Sequence, residues 1–252
     1  MTAETRDAFD ATSKFYDRRL PYDTRLFQQL AIELALGPEV SLLDICCGNG
    51  QLSVGFADRV KEVVGIDFSE GMLKRAPQRP NIRYLRHDLN APALPGAVAD
   101  HRFHHFVVGR AIHWLTPESL VALIGSNLRP GGSVVNCGAG WSDDTPWLEQ
   151  YVALRKSYRP GQARGGRGNA GLGMAGFAQQ GGVRVNKTIW CDLELLVKHA
   201  LSYSSLGDMA PDEVEYFRED LTKLMEPYRA DGLYQGNAVT WGAIYRRNEQ
   251  LA

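Results

Sequence analysis

The stretch VSLLDICCGNG, residues 40–50, decides the fold class of this 252-residue chain. It begins with a short apolar run and ends in two closely spaced glycines, Gly48 and Gly50. A short apolar run bounded by glycine is typical of a strand that is buried in a parallel sheet. Residues 51–59 then have a helical pattern, so the glycines form the turn from a strand into a helix. Such a turn lets a ligand come close to the backbone and to the N–H groups of the helix.

The alternation of strand and helix continues after this turn. Apolar runs predict further strands over 62–67, 82–88, 103–108, 133–137, 183–190 and 239–245, and helices over 69–76, 117–128, 193–201 and 211–228. Strands that alternate with helices of about ten residues indicate right-handed βαβ units. We therefore predict an α/β fold with a doubly wound, mostly parallel, seven-stranded sheet and helical cap elements.

The overall composition argues against several classes of partner. Hydrophobic residues make up 44% and charged residues 23% of the chain, which is ordinary for a globular protein. The formal net charge of -1 argues against nucleic acid as a partner. The polar N-terminus and the lack of an apolar run of about 18 residues argue against a signal peptide and a membrane partner. We expect a cytoplasmic protein that is a monomer or a homodimer.

The cysteines and histidines predict no metal site. The four cysteines lack the spacing of zinc ligands, because two are adjacent and the other two stand alone. His101, His104 and His105 lie close together in the sequence. In a strand, however, residues 101 and 105 share one face while 104 points away, which is poor geometry for one metal ion.

Three details indicate which kind of cofactor the glycine turn holds. The dinucleotide-binding fingerprint would require a glycine or alanine three residues after Gly50, but this position holds Ser53. Asp44 lies inside the end of the first predicted strand, and Asp67 ends the second. A carboxylate at the end of the second strand can accept hydrogen bonds from both hydroxyls of a ribose. Together these details favour a methyl-donor cofactor over a nicotinamide.

Four motifs resemble those of class I S-adenosylmethionine-dependent methyltransferases, in the family's order and spacing. DICCGNG at 44–50 resembles the family's D-x-G-x-G-x-G motif, and GIDFSEGML at 65–73 resembles the end of its second strand and the next helix. HDL at 87–89 and LRPGG at 128–132 resemble its third-strand motif and the turn before its fifth strand. One departure is Cys46, which stands where the family usually has glycine. We expect cofactor binding to survive this change, because small residues are tolerated there.

The resemblance implies S-adenosyl-L-methionine as cofactor and S-adenosyl-L-homocysteine as its product. Gly48 and Gly50 would cradle the methionine part, with Asp44 near its ammonium group. Asp67 would bind the ribose hydroxyls, and Asp88 would accept a hydrogen bond from the adenine amino group. The complete predicted cofactor site consists of Tyr16, Asp44, Cys46, Gly48, Gly50, Asp67, Phe68, Met72, Asp88, Leu89 and Gly109.

The acceptor region resembles a small-molecule branch of the family, the methyltransferase type 11-like enzymes that include trans-aconitate methyltransferase-like proteins. AIHWL at 111–115 resembles a segment of that branch, and RLPY at 19–22 resembles a segment that closes over the cofactor. His113 is the one candidate general base, since histidine titrates near neutrality. Alternatively His113 lines the pocket, and an acceptor that is a carboxylate needs a cationic clamp instead of a base. The predicted substrate-binding residues are Arg18, Arg19, Tyr22, Arg110, His113 and Trp114.

The sequence thus predicts a single methyltransferase domain over residues 1–252. Within it we expect N-terminal helices or a lid over 1–37 and a cofactor-binding core over 40–137. An acceptor-region cap should follow over 140–230. This cap includes a glycine-rich loop over 159–183, which we expect to be a mobile substrate lid. The predicted activity moves a methyl group from S-adenosylmethionine to oxygen or nitrogen of a small metabolite. The alternatives are a non-catalytic protein that binds this cofactor, and a methyltransferase that acts on protein or nucleic acid.

Overall fold

Eight strands form one sheet within the part of the chain that the structure describes. The structure is a computed structural model, and it describes residues 18–91, 94–96, 98–159, 169–203 and 205–248. The strands are β1 (Ser41–Ile45), β2 (Glu62–Asp67), β3 (Ile82–Arg86), β4 (Phe103–Gly109), β5 (Leu128–Trp141), β6 (Phe177–Cys191), β7 (Arg229–Ala230) and β8 (Leu233–Arg247). Their order across the sheet is β3-β2-β1-β4-β5-β8-β6, and the short β7 pairs with β8 outside this path.

The first five strands run parallel, and β8 runs against its long neighbours. β1 pairs in parallel with β2 and β4, and these pair in parallel with β3 and β5. β8 lies between β5 and β6 and is antiparallel to both. The predicted doubly wound, mostly parallel sheet is confirmed, and β7 is a short addition to its seven strands. The strand order reverses between β1 and β4, so a crevice for a ligand lies at the carboxyl ends of these strands.

Helices connect the strands and cover both faces of the sheet. In the described residues they are α1 (Thr24–Glu33), α2 (Gln51–Ala57), α3 (Glu70–Leu73), α4 (Pro117–Asn127), α5 (Leu148–Ser157), α6 (Ala170–Met174), α7 (Leu193–Leu201) and α8 (Pro211–Met225), with short 3-10 turns at Ile112–Trp114 and Glu226–Tyr228. The side chains of Asp23, Ser69, Thr116 and Asp192 cap the N-termini of α1, α3, α4 and α7. Each of them accepts a hydrogen bond from a backbone N–H of the first turn, which would otherwise lack a partner within the helix.

The two faces of the sheet carry separate hydrophobic cores because side chains alternate along each strand. Leu43 and Ile45 of β1 pack on the side covered by α4, whereas Leu42 packs on the side covered by α1 and α2. All residues of β1 are buried. A strand that is buried on both faces explains the continuous apolar run in this part of the sequence.

A third core lies among α5, α7 and α8, in the segment for which the sequence predicts an acceptor-region cap. It contains the fully buried side chains of Trp147, Tyr151 and Phe217. Trp147 Nε1 donates a hydrogen bond to the carbonyl oxygen of Gln235 at 2.8 Å. This bond ties the helical core to β8 and fixes the position of α5 relative to the sheet.

The structure differs from the predicted loop over 159–183. α6 and β6 occupy its second half, while residues 160–168 lie outside the described residues. β6 is an edge strand with most of its side chains exposed, so it lacks the apolar pattern of a buried strand. Its glycines serve a close approach to β8, since a Cβ at Gly182 would lie 2.9 Å from the carbonyl oxygen of Gly242.

Two other predicted features have different outcomes. The first 17 residues of the predicted N-terminal helices or lid lie outside the described residues, and α1 begins at Thr24. The predicted turn at 129–132 lies within β5 and interrupts its pairing with β4. Phe103 pairs with Leu128, but His105, two residues later, pairs with Ser133, so β5 has extra residues at this point. This irregularity brings β5 into register with β4 along its buried half.

Replacing Leu43 by alanine tests the described core. Leu43 is fully buried, so Leu43→Ala leaves a cavity, and we expect the free energy of unfolding to fall by about 2–5 kcal/mol. Ile32→Ala is the control, because the Ile32 side chain is 80% exposed. For this control we expect a change below about 0.5 kcal/mol. Urea unfolding followed by circular dichroism measures both, and equal losses in the two variants would contradict the burial of β1.

Candidate active site

The turn from β1 into α2 holds three residues with left-handed backbone conformations. The φ angles are 55° at Cys46, 56° at Gly48 and 76° at Gly50. The N–H of Gly50 donates to the carbonyl oxygen of Cys47 at 2.9 Å and closes the turn. A left-handed backbone costs a residue that carries a Cβ roughly 1–2 kcal/mol. The departure at Cys46 therefore carries a conformational cost that glycine would avoid.

Tyr84 of β3 lies against this turn, a contact that the sequence motifs do not indicate. A Cβ at Gly50 would collide with the Tyr84 hydroxyl, and a Cβ at Gly65 would lie 2.7 Å from the Tyr84 ring. Two glycines on neighbouring elements thus make room for one aromatic ring. Burial and the nearby Asp44 carboxylate raise the pKa of Tyr84 to about 12, so its hydroxyl stays protonated near neutrality.

Asp44 is a buried carboxylate with one satisfied oxygen. Its Oδ2 accepts hydrogen bonds from the backbone N–H and the hydroxyl of Ser53, at 3.0 and 2.6 Å. Its Oδ1 is buried and has no hydrogen-bond partner. Burial, with a smaller contribution from Asp67, raises the pKa of Asp44 to about 7. Ser53 thus positions the carboxylate, a role that its place in the first turn of α2 could have suggested.

Asp67 joins the two strand-to-helix turns at the crevice. Its Oδ2 accepts from the N–H of Gly48 and its Oδ1 from the N–H of Ser69, both at 2.8 Å. The side chain is 7% exposed. A carboxylate has about four acceptor sites, so these two bonds do not exhaust its capacity for hydroxyl groups of a ligand.

The charges of three carboxylates act on the thiol of Cys46. Burial and the carboxylates of Asp67, Asp44 and Asp88 together raise the pKa of this thiol well above its usual range. These aspartates come from the ends of β1 and β2 and from the loop after β3, as the motifs predict. The structure therefore gathers negative charge at the crevice, which suits a ligand with a positive charge.

The other predicted cofactor residues lie on the same elements. Met72 and Leu89 are buried, while Phe68 and Gly109 are partly exposed. The carboxylate of Asp88 accepts from the N–H of Asn90 at 3.0 Å, which fixes the loop after β3. Tyr16 lies outside the described residues.

Arg110 links the end of β4 to the glycine turn and to the segment before α1. It has a left-handed backbone with φ of 57°. Its Nη2 donates to Gln51 Oε1 at 2.7 Å, and its Nη1 donates to the carbonyl oxygen of Leu20 at 3.2 Å. Its guanidinium carbon lies 4.6 Å from the centre of the Tyr22 ring. The structure thus brings Arg110 and Tyr22 together, as expected for two residues of one predicted site.

The remaining predicted substrate-binding residues are distributed around the crevice. His113 is exposed on the 3-10 turn after β4, and its ring centre lies 4.8 Å from that of Trp114. The amide of Asn90 donates to the carbonyl oxygen of Trp114 at 3.0 Å, so this turn adjoins the loop after β3. Arg18 is exposed, whereas Arg19 stacks on the ring of Tyr203, which lies just after α7. A role for His113 in proton transfer stays a prediction.

The histidines at the start of β4 have separate surroundings. His101 Nε2 lies 3.4 Å from the Glu62 carboxylate, whereas His104 Nδ1 accepts from the N–H of Ser41 at 2.9 Å. Burial lowers the pKa of His105 to about 4. No three histidine, cysteine or acidic side chains of the described chain lie together in a way that could hold a metal ion. Among the same residues, no helix combines the length and the apolar character that a membrane span requires.

Comparison with known proteins identifies the fold and the motifs. Residues 42–132 match the family model described as a methyltransferase domain. Residues 42–132 of this chain therefore resemble a methyltransferase domain in sequence. The match covers the glycine turn and the three aspartates, and it confirms the resemblance that the four motifs indicate.

Several methyltransferases are similar in sequence to somewhat less than half of this chain. An uncharacterised methyltransferase of Synechocystis sp. is 37% identical over 114 residues, which make up 42% of this chain and 50% of that protein. The demethylmenaquinone methyltransferase of Staphylococcus aureus is 36% identical over 121 residues, which make up 44% of this chain and 48% of that protein. The chain thus spans about half the length of the curated relatives it matches.

A solved structure extends the similarity of fold beyond the domain match. The S-adenosylmethionine-dependent methyltransferase of Thiobacillus denitrificans, in complex with S-adenosyl-L-homocysteine, has a TM-score of 0.54 to this chain at 13% identity. The similarity covers 95% of this chain and 98% of the other. The helical core of α5, α7 and α8 therefore belongs to the same overall fold as the methyltransferase domain.

The residues of the crevice fit S-adenosylmethionine. The unpartnered Oδ1 of Asp44 is a buried acceptor beside the glycine turn, where a cationic group would offset the cost of burying a carboxylate. This cofactor carries a sulfonium and an ammonium charge. A Cβ at Gly48 would meet no atom within 4 Å, so there is space for close approach there, and the acidic surroundings of Cys46 match the charge of the ligand.

The raised pKa of Asp44 predicts a pH-dependent affinity for S-adenosylmethionine. Below pH 7 Asp44 takes up a proton and loses the charge that attracts the cofactor, so binding must displace this proton. We expect the dissociation constant to rise as the pH falls from 7 to 5.5, with a slope of at most about tenfold per unit. Calorimetric titration across this range measures the effect.

The variant Asp44→Asn tests whether Asp44, and not another titrating group, causes this pH dependence. This variant should bind S-adenosylmethionine more weakly and without the slope below pH 7. Asp58→Asn is the control, because the Asp58 side chain is 77% exposed at the surface, and it should retain the wild-type profile. A slope that persists in Asp44→Asn would show that another group carries the pH dependence.

Proposed function

We propose that this protein transfers a methyl group from S-adenosylmethionine to an oxygen or nitrogen atom of a small molecule. The observation that carries the proposal is the convergence of Asp44, Asp67 and Asp88 on the glycine turn of a methyltransferase domain. The cofactor supplies an electrophilic methyl group on a sulfonium. The residues of the chain bind the cofactor, orient it and control access to it.

The proposed roles in cofactor binding follow from the positions of the three aspartates. Asp44 receives the ammonium group at its buried Oδ1, while Gly48 and Gly50 let the backbone approach the methionine part. Asp67 receives the ribose hydroxyls, and Asp88 with the backbone of Leu89 receives the adenine. Met72 and Phe68 provide apolar walls for the adenine ring.

The acceptor enters beyond the carboxyl end of β4 in this proposal. Arg110, Tyr22 and the turn that carries His113 and Trp114 border this opening. Methyl transfer is an in-line displacement, so alignment of the acceptor atom with the methyl group is the main requirement. His113 takes the proton from an acceptor that is a hydroxyl or an amine, whereas a carboxylate acceptor needs no base.

The similarity to a demethylmenaquinone methyltransferase supports a small aromatic or quinone-like acceptor as one candidate. The comparisons give no support to the two alternatives, a non-catalytic protein that binds the cofactor and a methyltransferase that acts on protein or nucleic acid. Location in the cytoplasm and a monomeric or homodimeric state also stay predictions.

Asp67→Ala tests the cofactor assignment. Loss of this carboxylate removes the proposed bonds to the ribose, and charged hydrogen bonds contribute about 1.5–3 kcal/mol. We expect affinity for S-adenosylmethionine and S-adenosylhomocysteine to fall by about tenfold to a hundredfold. Calorimetric titration measures this, and circular dichroism checks that the fold persists. Asp58→Ala is the surface control, and NAD and NADP serve as control ligands that should not bind.

Binding of NAD in preference to the sulfur-containing cofactors would contradict the proposal. So would wild-type protein that binds neither S-adenosylmethionine nor S-adenosylhomocysteine. Unchanged cofactor affinity in Asp67→Ala would remove the ribose assignment and leave the cofactor class intact.

His113→Gln tests proton transfer separately from binding. In an assay with labelled S-adenosylmethionine and simple phenols as acceptors, loss of a general base should lower kcat by about a hundredfold or more. Affinity for the cofactor should stay unchanged in this variant. A variant that changes only KM would show that His113 lines the pocket.

A further inference from the structure

A cluster of arginine and tyrosine side chains lies between the segment before α1 and the helical core. We call it the arginine–tyrosine cluster, and it consists of Arg19, Tyr151, Arg155, His199 and Tyr203. The guanidinium carbons of Arg19 and Arg155 each lie 3.8 Å from the centre of the Tyr203 ring. Two groups cannot occupy the same position above one face, so the arginines stack on opposite faces of the ring.

Stacking leaves the N–H edges of a guanidinium available for hydrogen bonds in its plane. Arg19 uses Nε and Nη2 to donate to the carbonyl oxygen of Ser202, at 3.3 and 3.1 Å. Arg155 also lies over Tyr151, at 5.3 Å from the ring centre. Its Nε is buried and has no hydrogen-bond partner. A buried donor of this kind is costly unless a ligand accepts its hydrogen bond.

His199 does not neutralise or share the charge of these arginines. It is buried, and its Nδ1 lies 2.9 Å from the Tyr151 hydroxyl, which donates to the carbonyl oxygen of Leu196 at 3.0 Å. Burial and the charges of Arg19, Arg155 and Arg110 lower the pKa of His199 to about 3, so it stays neutral. Within the described residues, the charges that act on His199 are all positive.

Arg110 connects the cluster with the proposed cofactor site. Its charge acts on both His199 and Tyr203, and its side chain bonds to Gln51 at the start of α2. It also bonds to the carbonyl oxygen of Leu20, the neighbour of Arg19. Arg110 therefore links the segment that carries Arg19 with the end of β4 and the start of α2.

The surroundings of the cluster strengthen its attraction for an anion. Trp141 packs against the His199 ring with centres 6.0 Å apart, and Tyr151 is fully buried. Charges act more strongly among such apolar groups than in water. Guanidinium groups bind carboxylates with charge-assisted, often paired hydrogen bonds.

We propose that the arginine–tyrosine cluster binds a carboxylate group of the methyl acceptor, with Arg155 as its main ligand and the Tyr203 hydroxyl as a further donor. The inference rests on the proposed function and deepens it, because it assigns the acceptor to the class of carboxylic acids. Arg155 and Tyr203 are substrate-binding residues in this assignment. The carboxylate would be held beyond Arg110, and the acceptor atom would lie between the cluster and the methyl group.

The cofactor has a carboxylate of its own, so the test must distinguish the two sources. Wild-type protein saturated with S-adenosylhomocysteine is titrated in a calorimeter with benzoate, isophthalate and citrate. Isophthalamide is the neutral match of isophthalate. We expect at least one of the carboxylates to bind, and the diamide not to bind.

Variants of α5 assign the binding to Arg155. Arg155→Gln should weaken carboxylate binding at least tenfold, and Arg155→Lys, which keeps the charge without the planar fork, should weaken it less. Lys156→Gln removes a charge from the next, exposed position of the same helix and should leave binding unchanged. Circular dichroism and affinity for S-adenosylhomocysteine check that the folded site persists in each variant.

Three results would overturn the inference. One is a wild-type complex that binds none of the carboxylates, or binds the diamide equally well. The second is carboxylate binding that Arg155→Gln leaves intact. The third combines two observations: Arg155→Gln loses affinity for S-adenosylhomocysteine, and this ligand competes with isophthalate. Together they would show that the cluster binds the carboxylate of the cofactor.

Failure of the proposed function gives a different result. In that case the wild-type protein does not bind S-adenosylhomocysteine at all, whatever the carboxylates do. Isophthalate is then titrated into the protein alone. Binding that depends on Arg155 would support an anion site, and its absence would contradict one.

Discussion

The two hydrogen bonds of Asp67 are the interaction on which the arrangement of the crevice depends. One carboxylate accepts the N–H of Gly48 in the first strand-to-helix turn and the N–H of Ser69 at the start of the second. Parallel strands bring these two turns to the same edge of the sheet, and the shared acceptor joins them. The Asp67 side chain thus connects the glycine turn with the start of α3, while Ser69 caps that helix and Ser53 holds the Asp44 carboxylate.

The crevice carries opposite charges on its two sides. Asp44, Asp67 and Asp88 surround the glycine turn, while Arg110 and the arginine–tyrosine cluster stand beyond the end of β4. In the proposed function, a cationic cofactor would bind on the first side and an anionic acceptor on the second. Loss of the sulfonium charge after methyl transfer would weaken the attraction on the acidic side and favour exchange of the product.

The sequence predicted the parts of the molecule whose local pattern reflects their surroundings. The strand around Leu43 is buried on both faces, so its apolar run is visible without any structure, and Asp44 and Asp67 follow from their places at strand ends. The sequence did not predict the first residues of β6 as a strand, because an edge strand needs few apolar side chains. The sequence also did not predict the role of Tyr84, because its contact with Gly50 joins β3 to the turn after β1, which is distant in the sequence. Arg155 and Tyr203 come from separate parts of the helical core, and only packing brings them onto one another.

The position of β8 also constrains the order in which the chain can assemble during its synthesis. β1 to β5 pair among themselves and can form a sheet as soon as they have left the ribosome. β6 comes next in the chain, yet its ladder of hydrogen bonds is made to β8, which follows some forty residues later in the sequence at Leu233–Arg247. Until β8 is inserted, the far edge of β5 and the whole of β6 remain unpaired, and unpaired strand edges promote association between chains. The helices α7 and α8, which are synthesised in this interval, therefore emerge while the sheet is still incomplete.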